Sequence, residues 1–168
     1  SEISDIAEKI GVGAVRYTFL KNGRERDIIF SWDDVLDFEG ESAPYLIYTV
    51  TRCASLERKA PESLLERADR VRDEELGLLI SDNEQELLKE ISRFSQSVVL
   101  ARETHEPSVM MRQVMAIARS FNTFYHNAQI LRAESEALGA ARLVLARAVG
   151  RTISAGLRIA GIEPVEKM

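Results

Sequence analysis

Residues 108–130 read SVMMRQVMAIARSFNTFYHNAQI, and after a short acidic link residues 141–168 read ARLVLARAVGRTISAGLRIAGIEPVEKM. In the first stretch Met110, Val114, Ile117, Phe121, Phe124 and Ala128 recur at steps of three and four. That spacing lines side chains along one face of a helix, here expected over about 108–129. The neighbouring stripe holds Met111, Met115, Ala118, Asn122 and Tyr125, which sets Asn122 and Tyr125 at the edge of the buried face. In the second stretch Ala141, Leu145, Ala148, Val149, Ile153, Gly156 and Ala160 form the inner face of a helix expected over about 134–161. Gly161 is placed to cap it, and Pro164 prevents its continuation. Two long amphipathic helices facing each other predict an antiparallel helical bundle.

The upstream residues extend the pattern. Ile3, Ile6, Ile10, Ala14 and Tyr17 have helical spacing over 3–20, where Gly11 and Gly13 suggest close packing against another element. Asn22-Gly23 marks a turn, and Asp27–Phe30 is at most an isolated extended segment. Ser31 followed by Asp34 resembles a capping box opening a short helix WDDVLDF, ended by Gly40. A helix starts near Ser42, with Pro44 in its first turn, and runs to about Lys59, before Pro61. Tyr45, Tyr48 and Arg52 lie one turn apart on one side of it. A short helix across SLLERADRV and a loop or another short turn through GLLISDN precede an amphipathic helix over 83–104, striped by Leu87, Ile91, Phe94, Val98 and Ala101. No strand-rich region and no fixed-period repeat is visible.

A chain of 168 residues suffices for one well-buried core, or one core with a satellite piece. Its single cysteine, Cys53, permits no disulfide framework and reads as a buried structural thiol in a reducing compartment. With no stretch of membrane-spanning length and no signal-type opening, the cytoplasm is expected. Residues 1–106 carry 14 Lys and Arg against 23 Asp and Glu, whereas residues 107–168 carry 8 against 4, a split hidden in the whole-chain charge of -5. The last helix holds Arg142, Arg147, Arg151 and Arg158 with no acid between Glu136 and Glu163. Such asymmetry points to a polyanion, with a solvated helix face as the plainer reading. Tyr125, His126, Asn122 and Asn127 sharpen the polyanion reading. Rings stack on unpaired bases, amides bond base edges and cations hold phosphates, which is the chemistry of single-stranded RNA loops. His126 also reads as an ordinary surface residue.

Catalytic signatures are missing. The two histidines, His105 and His126, have no metal-ligand spacing, and no Cys/His cluster exists. The GVG at 11–13 lacks the Lys-Ser/Thr of a phosphate loop and sits inside a helix. Asp33, Asp34 and Asp37 follow the logic of acids near a helix N-terminus.

Several motifs, in order and at compatible spacing, carry a family resemblance. GVGAVRYTFL (11–20) precedes a D-x-x-F-x-W-D segment (27–33). FSWDDVLDFEGESAPYLIYTVTRC spans 30–53, SFNTFYHNAQI spans 120–130 with Ser120 where Ala is usual, and GLRIAGIEPVEKM ends the chain. Nearly end to end, the sequence resembles the C-terminal part of arginyl-tRNA synthetases. The resemblance implies an all-α bundle of the class I synthetase anticodon-binding type. Residues 1–60 would be the helical segment that follows the catalytic region, and 61–168 the anticodon-binding bundle. Expected partners are the anticodon arm of arginine tRNA and the remainder of the synthetase. No HIGH-type or KMSK-type motif and no N-terminal tRNA-elbow domain is present, so the resemblance implies a fragment or a detached module. ATP and Mg would belong to the full-length parent, with no cofactor expected in this chain.

The resemblance carries roles residue by residue. Tyr125 would stack near the anticodon, and Met168 would pack against an anticodon base. Tyr48 and Arg52 match the helix near the inner bend of the tRNA. Asn122 and Asn127 fall in the Tyr125 segment, and Arg142, Arg147, Arg151 and Arg158 are phosphate-contact candidates by charge. The alternative is a helical interaction or scaffold module, docking through its acidic first half with no RNA role.

Overall fold

The computed structural model describes residues 2–165, the side chain of Glu2 excepted. Among them the secondary structure is entirely helical: α1 (Glu2–Leu20), α2 (Trp32–Val35), α3 (Ala43–Lys59), α4 (Glu62–Ala68), α5 (Asp73–Leu76), α6 (Asp82–Ser92), α7 (Phe94–Thr104), α8 (Pro107–Asn127) and α9 (Glu136–Ile159). The expected all-α bundle is what forms.

The helix starts are set by local chemistry. Ser42, in extended conformation, accepts the Tyr45 N–H at 3.2 Å, and Pro44 sits where no intrahelical donor is needed. Ser81 and Glu84 form a reciprocal capping box at α6, and Ser135 caps α9 by accepting the Leu138 N–H at 3.2 Å. At the far end of α9, Gly161 takes φ 70. Its N–H donates to the Arg158 carbonyl at 3.0 Å, and that of Ile162 to the Leu157 carbonyl at 2.8 Å. This paired closure needs a left-handed residue, which glycine adopts without strain.

Three elements depart from the periodic reading, one of them α5, a four-residue helix where none is expected. The helix expected through WDDVLDF stops at Val35, because Asp37 is drawn into the turn that leads to α3. Its carboxylate accepts the Glu39 N–H at 2.8 Å and its carbonyl accepts the Ser42 hydroxyl. The single helix expected over 83–104 is two, α6 and α7, meeting at Arg93. At this break Gln113 of α8 donates to the Glu90 carbonyl at 2.9 Å and to its carboxylate at 2.6 Å. That carbonyl is the acceptor an unbroken helix would offer to Phe94, and an inserted side chain interrupts the ladder. The apolar stripe continues across the break, so periodicity carries no trace of it.

One continuous core holds the bundle, running from Tyr17 of α1 through Phe121 and Phe124 of α8 to Val165. α9 is its axis, packed by α3, α4 and α8, while α6 and α7 lie on α8 and α1 covers α3. Of the expected inner face Ala141, Leu145, Val149, Ile153 and Gly156 are buried and Ala148 and Ala160 half-buried, while Leu143, Ala146 and Leu157 are buried as well, because α9 is enclosed on more than one side. Of the two glycines in α1, only Gly13 marks a close approach, since a Cβ there would lie 2.9 Å from Ile162 Cγ2 while Gly11 has nothing near. Arg142 of α9 reaches Glu84 of α6 at 2.6 Å, with the Glu84 side chain only 1% exposed. Burial alone would raise the Glu84 carboxyl. Hydrogen bonds from Arg142 and Ser81 outweigh it and hold the group below its ordinary 4.5.

Two outcomes follow from this packing. In Gly156→Ala the new methyl would meet Val114 Cγ2 at 2.5 Å and Phe94 at 3.3 Å. Urea denaturation should show a loss of about 1–3 kcal/mol, against the roughly 1 kcal/mol that alanine gains over glycine in an open helix. Arg142→Met should cost about 3–5 kcal/mol at neutral pH, since Glu84 is left buried without its partner. The lowered folded-state value means that the unfolded chain takes up the proton first. The contribution of the pair is therefore complete above about pH 5 and lost as pH falls through the folded-state value, so the deficit of the variant should shrink in acid.

Candidate nucleic-acid interface

The N-cap at Ser42 fixes the phase of α3 so that Tyr45, Tyr48, Thr49 and Arg52 turn toward α8. Arg52 bridges the two helices. Its guanidinium carbon lies 4.8 Å from the centroid of the Tyr48 ring and 4.6 Å from that of Tyr125, so one cation sits against two phenol rings. The guanidinium donates to the Asn122 side-chain carbonyl and, at 3.3 Å, to the Tyr48 hydroxyl. The Asn122 amide in turn donates to the Tyr45 hydroxyl at 2.8 Å and to the Thr49 hydroxyl at 3.3 Å. Asn122 is half-buried and spends its donors and acceptor on holding Arg52 and on joining α3 to α8.

Tyr125 is half-buried. Its inner side tilts against Phe121 at 6.0 Å, and His126 meets it edge-on at 5.8 Å. Tyr48, 42% exposed, and the exposed His126 border an open groove of about 460 Å³ with Arg52, Tyr45 and Asn122. Tyr125 backs this groove through Arg52 rather than lining it. The remaining wall is Phe38 and Glu39, held in place by the Asp37–Ser42 turn. Phe38 is a lining residue that the sequence does not mark as a site candidate. It lies in a non-helical turn, where periodicity is silent, and its only signal was the F-E-G of the 30–53 motif.

The other expected residues are dispersed. Asn127, exposed at the end of α8, donates its amide to the Thr123 carbonyl at 3.0 Å. Arg142 is committed to Glu84. Arg147 is clamped by Glu57 at 2.8 Å and Asp69 at 2.6 Å, with its side chain 16% exposed. Arg151 and Arg158 are exposed, and neither has an ion-pair partner among the described residues. Met168 lies outside the described residues. The last described residue, Val165, accepts the Thr51 hydroxyl at 3.0 Å, which docks the tail on α3 beside Arg52 in sequence. Cys53 is buried between α3 and α9, and burial pushes its thiol up to about 12, far from nucleophilic at neutral pH.

The site thus offers ring faces, a planar cation and hydrogen-bonding groups around an open cleft. No group of three His, Cys, Asp or Glu gathers as metal ligands among the described residues, and none of their helices is long and apolar enough to cross a membrane.

Known proteins share this architecture. The arginine–tRNA ligase of Clostridium perfringens is 41% identical over 164 residues, which cover 98% of this chain and 28% of that protein. The arginine–tRNA ligase of Clostridium botulinum is 40% identical over 165 residues, with the same coverage. The chain therefore spans little more than a quarter of the length of these relatives. Among solved structures, the arginyl-tRNA synthetase of Plasmodium falciparum superposes with a TM-score of 0.86 at 25% identity, over 99% of this chain and 28% of that one. That of Thermus thermophilus superposes with a TM-score of 0.79 at 28% identity, over 96% and 27%. The family model of the DALR anticodon binding domain matches residues 46–168, which include α9, α8 and all of the aromatic groove except Phe38, Glu39 and Tyr45. With the model matched over most of its length, the chain belongs to the DALR anticodon-binding domain family.

Proposed function

We propose that the chain binds the anticodon arm of an arginine-acceptor tRNA, acting as a module of a cytoplasmic arginine–tRNA ligase. The remainder of that synthetase would be its second partner, and the ATP- and Mg-dependent attachment of arginine would take place there. The observation that carries the proposal is the Tyr48–Arg52–Tyr125 stack beside an open groove, in a chain of an anticodon-binding family. Unpaired bases stack on phenol rings and on guanidinium planes alike. Tyr48 offers an exposed ring, Arg52 a planar cation, and Tyr125 continues the stack inward. Membership of an anticodon-binding family speaks for RNA over the scaffold alternative.

Filter binding with an arginine-tRNA transcript tests this reading. Tyr48→Ala, which removes the ring exposed to the groove, should weaken binding by about 1–3 kcal/mol, roughly 5- to 150-fold, with the helical signal and cooperative unfolding retained. Equal affinity of variant and parent would reject a stacking role. Arg52→Lys keeps the charge and loses the plane, so it should weaken binding while leaving the salt dependence of the affinity unchanged. A scaffold with no RNA role would show no gel shift with total tRNA at low salt and about tens of micromolar protein.

A further inference from the structure

A second groove, of about 230 Å³, follows the seam between α3 and α9. Its floor is made of Cys53, Ala54 and Gly150, and its α9 wall carries Arg151, Ser154 and Arg158. Small floor residues let the two helices approach closely, for a Cβ at Gly150 would lie 3.1 Å from that of Cys53. The nearest acids are already used. Glu57 and Asp69 both pair with Arg147 at one end and neither with Arg151 or Arg158, so the groove keeps a net positive charge. Hydroxyls on helices commonly bond the carbonyl one turn back, as Thr152 does with Ala148 at 2.8 Å. The hydroxyl of Ser154, between the two arginines, makes no hydrogen bond among the described residues. The Nε of Arg147, buried in the same groove wall, has no partner either.

The position of this groove matters as much as its charge. At 3.6 residues per turn, Val50, Cys53 and Glu57 occupy the side of α3 opposite Tyr48 and Arg52. The aromatic and the basic groove thus flank one helix, about 10 Å across. Arg151 and Arg158 share a face of α9, about 10 Å apart along its axis.

We propose that the α3–α9 groove holds the sugar–phosphate backbone of the RNA whose bases enter the aromatic groove, so that the RNA straddles α3. Arg151 and Arg158 each neutralise a phosphate, and the Ser154 hydroxyl donates between them. This inference rests on the anticodon-arm reading above. It differs from a general basic surface in naming two cations, set apart from the stacking residues. An acidic peptide fits less well, because the apolar lining is limited to Val50, Cys53 and Ala54, of which Val50 and Cys53 are buried.

The test is the affinity of the full chain for an arginine-tRNA transcript between about 50 and 200 mM salt. In the double variant Arg151→Gln/Arg158→Gln, the slope of log affinity against log salt should flatten by about 1.4–1.8, two phosphates' worth. The double variant Arg151→Lys/Arg158→Lys should keep the parent slope, as should Arg132→Gln, on an exposed link away from the groove. Tyr48→Ala should lower affinity with the slope unchanged. Thermal unfolding of each variant checks that the bundle is intact, and if the Gln pair unfolds, the single variants should each flatten the slope by about half as much. An unchanged slope in the Gln variants, beside a parent that binds, overturns the groove and leaves the anticodon reading standing. A parent that does not bind the transcript at low salt overturns both.

Discussion

The bundle depends on how closely α9 is enclosed by its neighbours. Gly156 leaves no room for a methyl between α9 and the Val114 and Phe94 side chains, and Gly150 brings α9 against Cys53 of α3. Interiors at this density tolerate little change in volume, so the two contacts fix the spacing of α3, α8 and α9 together. The candidate interface inherits its geometry from that spacing. Arg52 reaches Tyr125 because α3 and α8 are held at the distance of one guanidinium, and the α3–α9 groove exists because the same helix meets α9 on its other side.

Charge in this chain is shared between folding and surface. The acid-rich first part and the basic last part look, in sequence, like a docking face and a binding face. In the structure they bind each other. Glu84 takes Arg142, Glu57 and Asp69 take Arg147, and Glu41 takes Arg119 at 2.8 Å. Half of the α9 arginines are therefore tie-rods between α9 and helices before it in the chain. A buried pair such as Glu84–Arg142 adds little net stability over an apolar pair, yet removing one partner is costly, which makes it a device for fixing position. Only the cations left after this pairing can meet a polyanion without breaking the fold.

Arg52 shows the complementary arrangement. Its charge meets no carboxylate among the described residues; phenol rings, the Asn122 carbonyl and the Tyr48 hydroxyl surround it instead. Such neighbours orient the guanidinium plane while leaving its charge uncompensated, which suits a group that meets both a base and a phosphate. Asn122, an amide suited to reading base edges, is turned inward to support it.

The sequence by itself determined the helices, their caps and the apolar stripes, because these depend on local hydrogen bonding and on a period of 3.6 residues. Ser42 and Gly161 act as local rules require, and Tyr48, Arg52 and Tyr125 were legible through ring chemistry and the family motifs. Only the tertiary structure decided three matters. Gln113 breaks the 83–104 helix from a neighbouring element. Phe38 joins the groove from a turn with no periodicity. Arg142 and Arg147 are consumed by acids distant in sequence, while Arg151 and Arg158 are spared. Each of these outcomes rests on contacts between residues 20 or more positions apart or on a non-repetitive turn, and no reading of spacing along one helix contains them.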